Sequence, residues 1–435
     1  MKKLSRVLTL GAASLLFLTA CGGEAAENNT DSTDSFEAAE GDGITVWTWD
    51  PYFNVKALEI AEGYYLEDNP DFNLNIIENA QEDIYQRLNT SLSSGVTKGL
   101  PNIVFIEDGR AAGYLNAYEE YFFPVGEYYN QDDFASYKVN SGQKDGEVYS
   151  FPFDSGVTGM YVRTDLLEEA GVTLEELTDV TWDEYVEIGK KVTEATGVKW
   201  MTTDHNSLGL MNSMLQSSGL WLTEEDGVTP NVADNEGLKE AFRIYKDMAD
   251  ADILHVHTDW NQFVASFNNG EVATVPQGNW LTPSIKAEAS QSGNWAVLPF
   301  PRQSVEGSVN ASNQGGSSIY VLDIEGKEEA AEFLAATFGS NIDFYQDLIT
   351  EIGALGTYEP ASSGDAYALE DDFFGGQTIY QDFAEWTQQV PEVNFGINGP
   401  IINDILSNSL QEYLNGQELD AVLENAQKQA ESAIQ

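Results

Sequence analysis

The 435-residue chain carries 72 Asp and Glu against 20 Lys and Arg, a formal net charge of −52. A field of that sign repels phosphate backbones and anionic headgroups, which excludes nucleic acid and an anionic membrane surface as partners. The single cysteine, Cys21, excludes internal disulfides and thiolate metal clusters.

At the N-terminus Lys2, Lys3 and Arg6 precede an apolar run from Leu8 to Leu18. The run is too short to span a bilayer and ends at small residues, so residues 1–20 read as a secretion signal. Leu18-Thr19-Ala20-Cys21 resembles a bacterial lipobox, which implies cleavage before Cys21 and a lipid on that cysteine. Residues 22–43 are Gly, Ala, Glu, Asn, Asp, Ser and Thr with Phe36 the one large apolar residue, a composition that cannot offset chain entropy, so residues 21–43 are predicted to be a lipid-bearing flexible tether. The protein is therefore expected on the outer face of the cell membrane, held by lipid. No later stretch is apolar for long enough to span.

The remaining length exceeds what one hydrophobic core serves, and two lobes are expected. Ile44–Trp47 reads as a strand, and Val55, Leu58, Ala61 and Tyr64-Tyr65 mark a helix face with Asn54 as its N-cap. Leu74–Ile77 is a second strand; Ile84, Leu88 and Leu92 recur four residues apart on a second helix. Ile103–Ile106 is a continuous apolar run of the kind buried in a parallel sheet. This opening predicts an α/β fold with mostly parallel strands.

The pattern restarts near 156. Val157–Val162 reads as a strand, followed by a helix stopped by Gly171. Thr181-Trp182-Asp183-Glu184 has capping-box spacing. Helices are expected at 208–219, 236–250 and 258–268, with strands at Val272–Val275, Trp295–Leu298 and Ile319–Leu322. Further helices are expected at 327–338, 342–350, 376–389, 400–415 and 418–433.

Four stretches carry a family resemblance. They are Tyr149–Asp154 running into Met160–Val172; Thr181–Tyr185; Phe267–Val275 running into Gly278-Asn279-Trp280; and the glycine-rich pair Gly315–Ser318 and Gly353–Gly356. In this order and spacing the chain resembles the extracellular sugar-binding proteins of ABC importers, the group that includes maltose-binding protein. Trp47–Pro51 and Leu100–Asp108 look like the lactose-binding type of that family. The resemblance implies a two-lobed, type II periplasmic-binding-protein fold with three hinge crossings and ligand between the lobes. The first lobe would comprise 44–153 plus 313–357 and the second 156–310 plus 360–435. It also implies a monomer, no cofactor, binding without catalysis, and two partners: a carbohydrate, short-oligosaccharide ligand and the membrane permease subunits of the importer.

Sugars present hydroxyls, each donor and acceptor, and flat C–H faces, so a sugar site needs carboxylates or amides together with aromatic rings. The predicted strand ends supply both. Trp49 and Asp50 follow the first strand, and since Trp47 points the same way, one of the two tryptophans belongs to the core. Glu107 and Asp108 follow the third; adjacent residues face opposite ways, so one reaches ligand and the other caps the next helix. Asp154 stands at the first crossing, and Asp204 and His205 follow the stretch around Trp200. The resemblance places Trp280 where the family stacks a tryptophan on a sugar ring; a hinge-packing role is the plainer reading. Tyr358 and Phe395 complete the candidate walls. Trp182 reads as a helix-packing anchor, Trp221 and Trp295 as core.

The pair His255 and His257 lacks a neighbouring carboxylate cluster, which argues against a transition-metal site. Glu224–Gly227 lacks calcium-loop spacing. Two rival functions remain from the residues: a binding protein for a polyamine, peptide or metal, and a secreted glycoside hydrolase, since hydrolases also pair carboxylates with aromatics.

Overall fold

The computed structural model describes residues 43–434. The signal segment, Cys21 and nearly all of the tether lie outside the described residues. No described helix is long and apolar enough to cross a membrane.

Strands β1 (Ile44–Thr48), β2 (Leu74–Glu78) and β3 (Ile103–Glu107) alternate with helices Asn54–Asp68 and Gln81–Ser94. Their order follows the apolar pattern, with Leu58 and Ala61 of the first helix and Ile84, Leu88 and Leu92 of the second buried. The first helix starts differently from expectation. Asn54 is its first residue, and the helix start has no side-chain cap; Asp50 Oδ1 instead accepts from the Tyr52 and Phe53 amides of the turn that leads into it, at 2.9 and 3.1 Å. Asp50 reaches them from the left-handed region at φ 58°, a conformation that a short polar side chain tolerates.

A small hairpin, β4 (Gln143–Lys144) and β5 (Glu147–Val148), precedes β6 (Ser150–Pro152). Then come β7 (Thr158–Arg163), β8 (Lys199–Thr203), β9 (Leu254–Val256), β10 (Val272–Gly278), β11 (Trp295–Pro299) and β12 (Ser317–Val321). The helix Trp182–Thr196 opens on a complete capping box between Thr181 and Glu184, and Gly171 closes the helix Thr164–Ala170 at φ 63°, both as the sequence predicts.

The strands form two five-stranded sheets, ordered β2-β1-β3-β12-β6 and β11-β7-β10-β8-β9. Pairings around β1 and around β8 are parallel. Those of β12 with β3 and β6, and of β7 with β10 and β11, are antiparallel. The sheets are thus less parallel than expected, because β6, β7 and β12 belong to segments that cross between them and need no helical return.

Three segments lie side by side where the chain crosses. Ser155 N donates to Leu355 O at 2.9 Å, Thr158 N to Ser312 O at 2.9 Å, and Gln314 N to Gly156 O at 2.8 Å. One apolar core runs from the first sheet through Phe151, Phe153 and Val157 onto one face of the second sheet, at Tyr161, Val275 and Val297. A second core covers the opposite face with Met160, Val162, Ala273 and Leu298. The period-two alternation along β7 therefore joins both cores.

Beside the crossings lies a buried charge cluster. Lys138, with no exposed surface, donates to Asp108 Oδ2 at 2.5 Å and to Ser317 O at 2.9 Å. Asp108 Oδ1 accepts from Ser318 Oγ at 2.8 Å. Asp154 Oδ1 accepts from Ser317 N and Oγ at 2.7 and 2.9 Å. Gly316 threads between them at φ +89°; a Cβ there would lie 3.1 Å from Asp108 Oδ2 and 3.3 Å from Asp154 O.

Two outcomes are expected from this cluster. Lys138→Met leaves two buried carboxylates without their cation and costs about 3–5 kcal/mol in urea denaturation at neutral pH. Burial raises the Asp154 carboxyl above its ordinary 3.8, against the opposing pull of Lys138. The folded chain then holds this proton more tightly than the unfolded chain, so stability falls as pH rises from 3.8 through the raised value. Asp154→Asn keeps an acceptor for Ser317 and should flatten that fall in denaturation curves taken across the window.

Candidate functional site: a cleft at the crossings

A cleft of about 890 Å³ opens at the crossings. Trp49 and Asp50 reach it from the end of β1, and Glu107 from the end of β3. Asp154 and Gly315–Ser317 form its base, while Trp260, Trp280, Thr282 and Lys286 face it from the second sheet's side. Ile349–Gly353 and Tyr380 complete the wall. Open α/β sheets bind ligands at the carboxyl ends of their strands, and β1 and β3 both end here.

Five of the sequence-predicted residues, Trp49, Asp50, Glu107, Asp154 and Trp280, meet in this cleft. Trp47 is 2% exposed and belongs to the interior. Trp49, two residues on, rests edge-on against Tyr85 and Phe105 and presents its remaining surface to the cleft. Asp50 keeps Oδ1 for the turn at Tyr52 and Phe53. Glu107 is held by Arg110, with Nε 3.4 Å from Oε2. Burial pushes its carboxyl above the ordinary range, a shift that a hydrogen bond from Gln81 and the Arg110 charge partly offset.

Trp280 is fixed by the backbone. Its indole Nε1 donates to Gln314 O at 2.8 Å, so the ring is tied directly to a crossing segment. A Cβ on Gly278 would sit 2.2 Å from that nitrogen, which explains the glycine two residues before the tryptophan. Trp260 stands beside it with ring centroids 6.0 Å apart and planes at 36°. At 53% exposed, Trp260 is the most open tryptophan face in the cleft.

The cleft is acidic. Asp50, Glu107, Asp154 and Glu351 line it against one cation, Lys286, whose Nζ is engaged with Asp371 Oδ2 at 2.6 Å. Burial pushes the Tyr380 hydroxyl up to about 12, so it stays a neutral hydrogen-bonding group at physiological pH.

The other predicted residues fall elsewhere. Asp108 is not a helix cap; it is the buried partner of Lys138. Asp204 lines a smaller cavity next to the cleft, and His205 turns away to pair Nδ1 with the Tyr245 hydroxyl at 2.8 Å. Tyr358 is 7% exposed, stacked on Tyr345 at 5.3 Å, and does not line the cleft. Phe395 lines a separate cavity of about 610 Å³ with Asp108, and Trp221, expected in the core, lies edge-on to it there at 4.9 Å. Trp182 and Trp295 are buried, at 0% and 1% exposed.

Sequence reasoning missed Trp260, Lys286 and Tyr380. Trp260 carried a usable signal: it opens the helix Trp260–Asn268, directly after the Asp259 side-chain cap and just beyond β9. No group of His, Cys, Asp and Glu among the described residues is arranged to hold a metal ion.

The chain matches the family model of bacterial extracellular solute-binding proteins over residues 59–353. It is 40% identical over 393 residues to a lactose-binding protein of Rhizobium radiobacter, covering 90% of this chain and 93% of that one. Its fold is similar to that of the sugar-binding protein MalE from Xanthomonas citri, with a TM-score of 0.75 at 16% identity, over 90% of this chain and 97% of the other. It is also similar to the galacto-N-biose/lacto-N-biose I-binding protein of the ABC transporter from Bifidobacterium longum, solved with lacto-N-biose, with a TM-score of 0.72 at 20% identity, over 90% and 97%. The two sheets, the laced crossings and the cleft at their strand ends are thus those of a type II binding-protein fold, and the chain belongs to the bacterial extracellular solute-binding proteins.

Proposed function

We propose that this protein captures an extracellular sugar, of disaccharide to short-oligosaccharide size, and hands it to the permease of an ABC importer. The observation that carries the reading is the pairing of Trp49, Trp260 and Trp280 with Asp50, Glu107 and Asp154 in one cleft of about 890 Å³. Its volume suits a small-molecule ligand, and its rings and carboxylates suit C–H faces and hydroxyls. The lactose-binding relative supports the same class. The cleft's acidic lining keeps a polyamine in view as the second reading.

Ligand first meets one lobe, and contacts from the other favour the closed state once ligand bridges both. The lobes we assign are 44–153 with 313–357 and 156–310 with 360–435. The permease reads closure rather than the sugar itself. Binding proceeds without chemistry, the protein acts as a monomer, and a lipid on Cys21 with the tether of residues 21–43 keeps it at the outer membrane face near its permease.

Titration of the protein with lactose, maltose, arabino-oligosaccharides and spermidine, followed by tryptophan fluorescence, tests the ligand class. A saturable response to one of the sugars is expected; a response to spermidine alone overturns the sugar reading. Products released with turnover would overturn binding without catalysis. Trp280→Ala should weaken sugar binding by about 1–3 kcal/mol. An unchanged affinity with lowered stability would make Trp280 a packing residue only.

A further inference from the structure

Next to the main cleft lies a smaller cavity of about 260 Å³, and Trp260 is a wall of both. Gln314 and Gly315, consecutive along the crossing, front the small cavity and the cleft respectively. Independent ligand pockets measure roughly 300–1,000 Å³, so the small cavity falls below the scale of a separate site. Its size and its shared wall place it beside the cleft rather than as a site of its own.

The cavity is built where the parallel part of the second sheet ends. Thr202 and Thr203 finish β8, His257 follows β9, and Gln277 lies one residue from the end of β10. Carboxyl ends of parallel strands are where open α/β sheets place ligands.

Polar groups there are left with capacity. His257 engages Nδ1 with the Thr202 hydroxyl at 2.7 Å, and its Nε2 has no partner among the described residues. Burial, ahead of the opposing Asp204 charge, holds this imidazole below its ordinary 6.5, so it is neutral at physiological pH. Gln277 uses Oε1 for the Gly278 amide at 3.2 Å and leaves its Nε2 donors unpartnered among the described residues. Asp204 uses Oδ1 for Asn206 and leaves Oδ2. Donors and acceptors thus stand together, as a ring bearing hydroxyls requires. Phe263 backs both aromatic walls, with its centroid 4.9 Å from His257 and 5.4 Å from Trp260.

We infer that this cavity is an added ring subsite: a sugar held in the main cleft continues past Trp260 by one further ring, held by His257, Gln277 and Asp204. The inference rests on the reading of the cleft as a sugar site. It narrows the ligand from a disaccharide or short oligosaccharide to a sugar of at least three rings.

Calorimetric titration of the full-length protein with lactose and two trisaccharides tests it, one extended by galactose at the non-reducing end and one by glucose at the reducing end. One trisaccharide should bind about tenfold more tightly than lactose, a gain on the scale of one or two added hydrogen bonds. His257→Ala and Gln277→Ala should each remove most of that gain while lactose affinity stays within about twofold, which also shows that the variants fold. Equal binding of all three sugars by the unaltered protein overturns the subsite, as does a parallel loss of lactose and trisaccharide binding in the two variants. Failure of lactose and both trisaccharides to bind the unaltered protein overturns the subsite as proposed; the sugar reading of the cleft falls only if maltose and the arabino-oligosaccharides fail as well.

Discussion

The arrangement at the crossings depends on one buried cation. Lys138 has no exposed surface, and its ammonium group sits between the Asp108 carboxylate and the Ser317 carbonyl. A charge so placed is tolerable only when it is paired at short range, and here two of its three donors are met by β12 and by the residue after β3. Asp154 joins through Ser317, so the first crossing and the start of β12 are held by the same few atoms. The backbone must pass through this cluster without a side chain, and Gly316 does so. The cleft base at Asp154 and Gly315–Ser317 is the face of the cluster that ligand would meet.

Much of the fold is legible in the sequence because it is written in local rules. Ile84, Leu88 and Leu92 can share a face only on a helix, and the Thr181–Glu184 box and Gly171 act within a single turn. Strand sense is a different matter. The antiparallel pairing of β12 depends on where a chain segment returns after more than a hundred residues in the other sheet, and no local pattern in Ser317–Val321 records that. The missed cap has a similar origin. Asn54 is the right residue type near the right place, yet it falls inside the helix, after a turn that Asp50 holds through a left-handed backbone that composition does not reveal.

The site divides along the same line. Trp49, Asp50 and Glu107 are legible because they follow apolar strands, and strand ends are where such sheets bind. Tyr358, at the last crossing, and Phe395, well after it, belong to segments whose path is set by packing; the first stacks into the core and the second into another cavity. Asp108 was separated from Glu107 by alternation alone, but its partner Lys138 lies 30 residues on, and a lone buried lysine in an acidic chain gives no sequence warning. The place of Trp260 after the Asp259 cap is legible, whereas its exposure depends on β9 lying at the sheet edge.

The bond from Trp280 to the Gln314 carbonyl has an optical consequence. An indole whose N–H is tied to a crossing segment feels the electric field of that segment's peptide dipoles, and the field changes as the segment turns. Its emission would therefore register the angle between the two halves of the molecule, whether or not a ligand touches the ring. Trp260, with no hydrogen bond to the crossings among the described residues and more than half its surface open, would register the solvent it loses instead. Two indoles 6 Å apart thus sit in different surroundings, one beside a peptide carbonyl and one open to solvent.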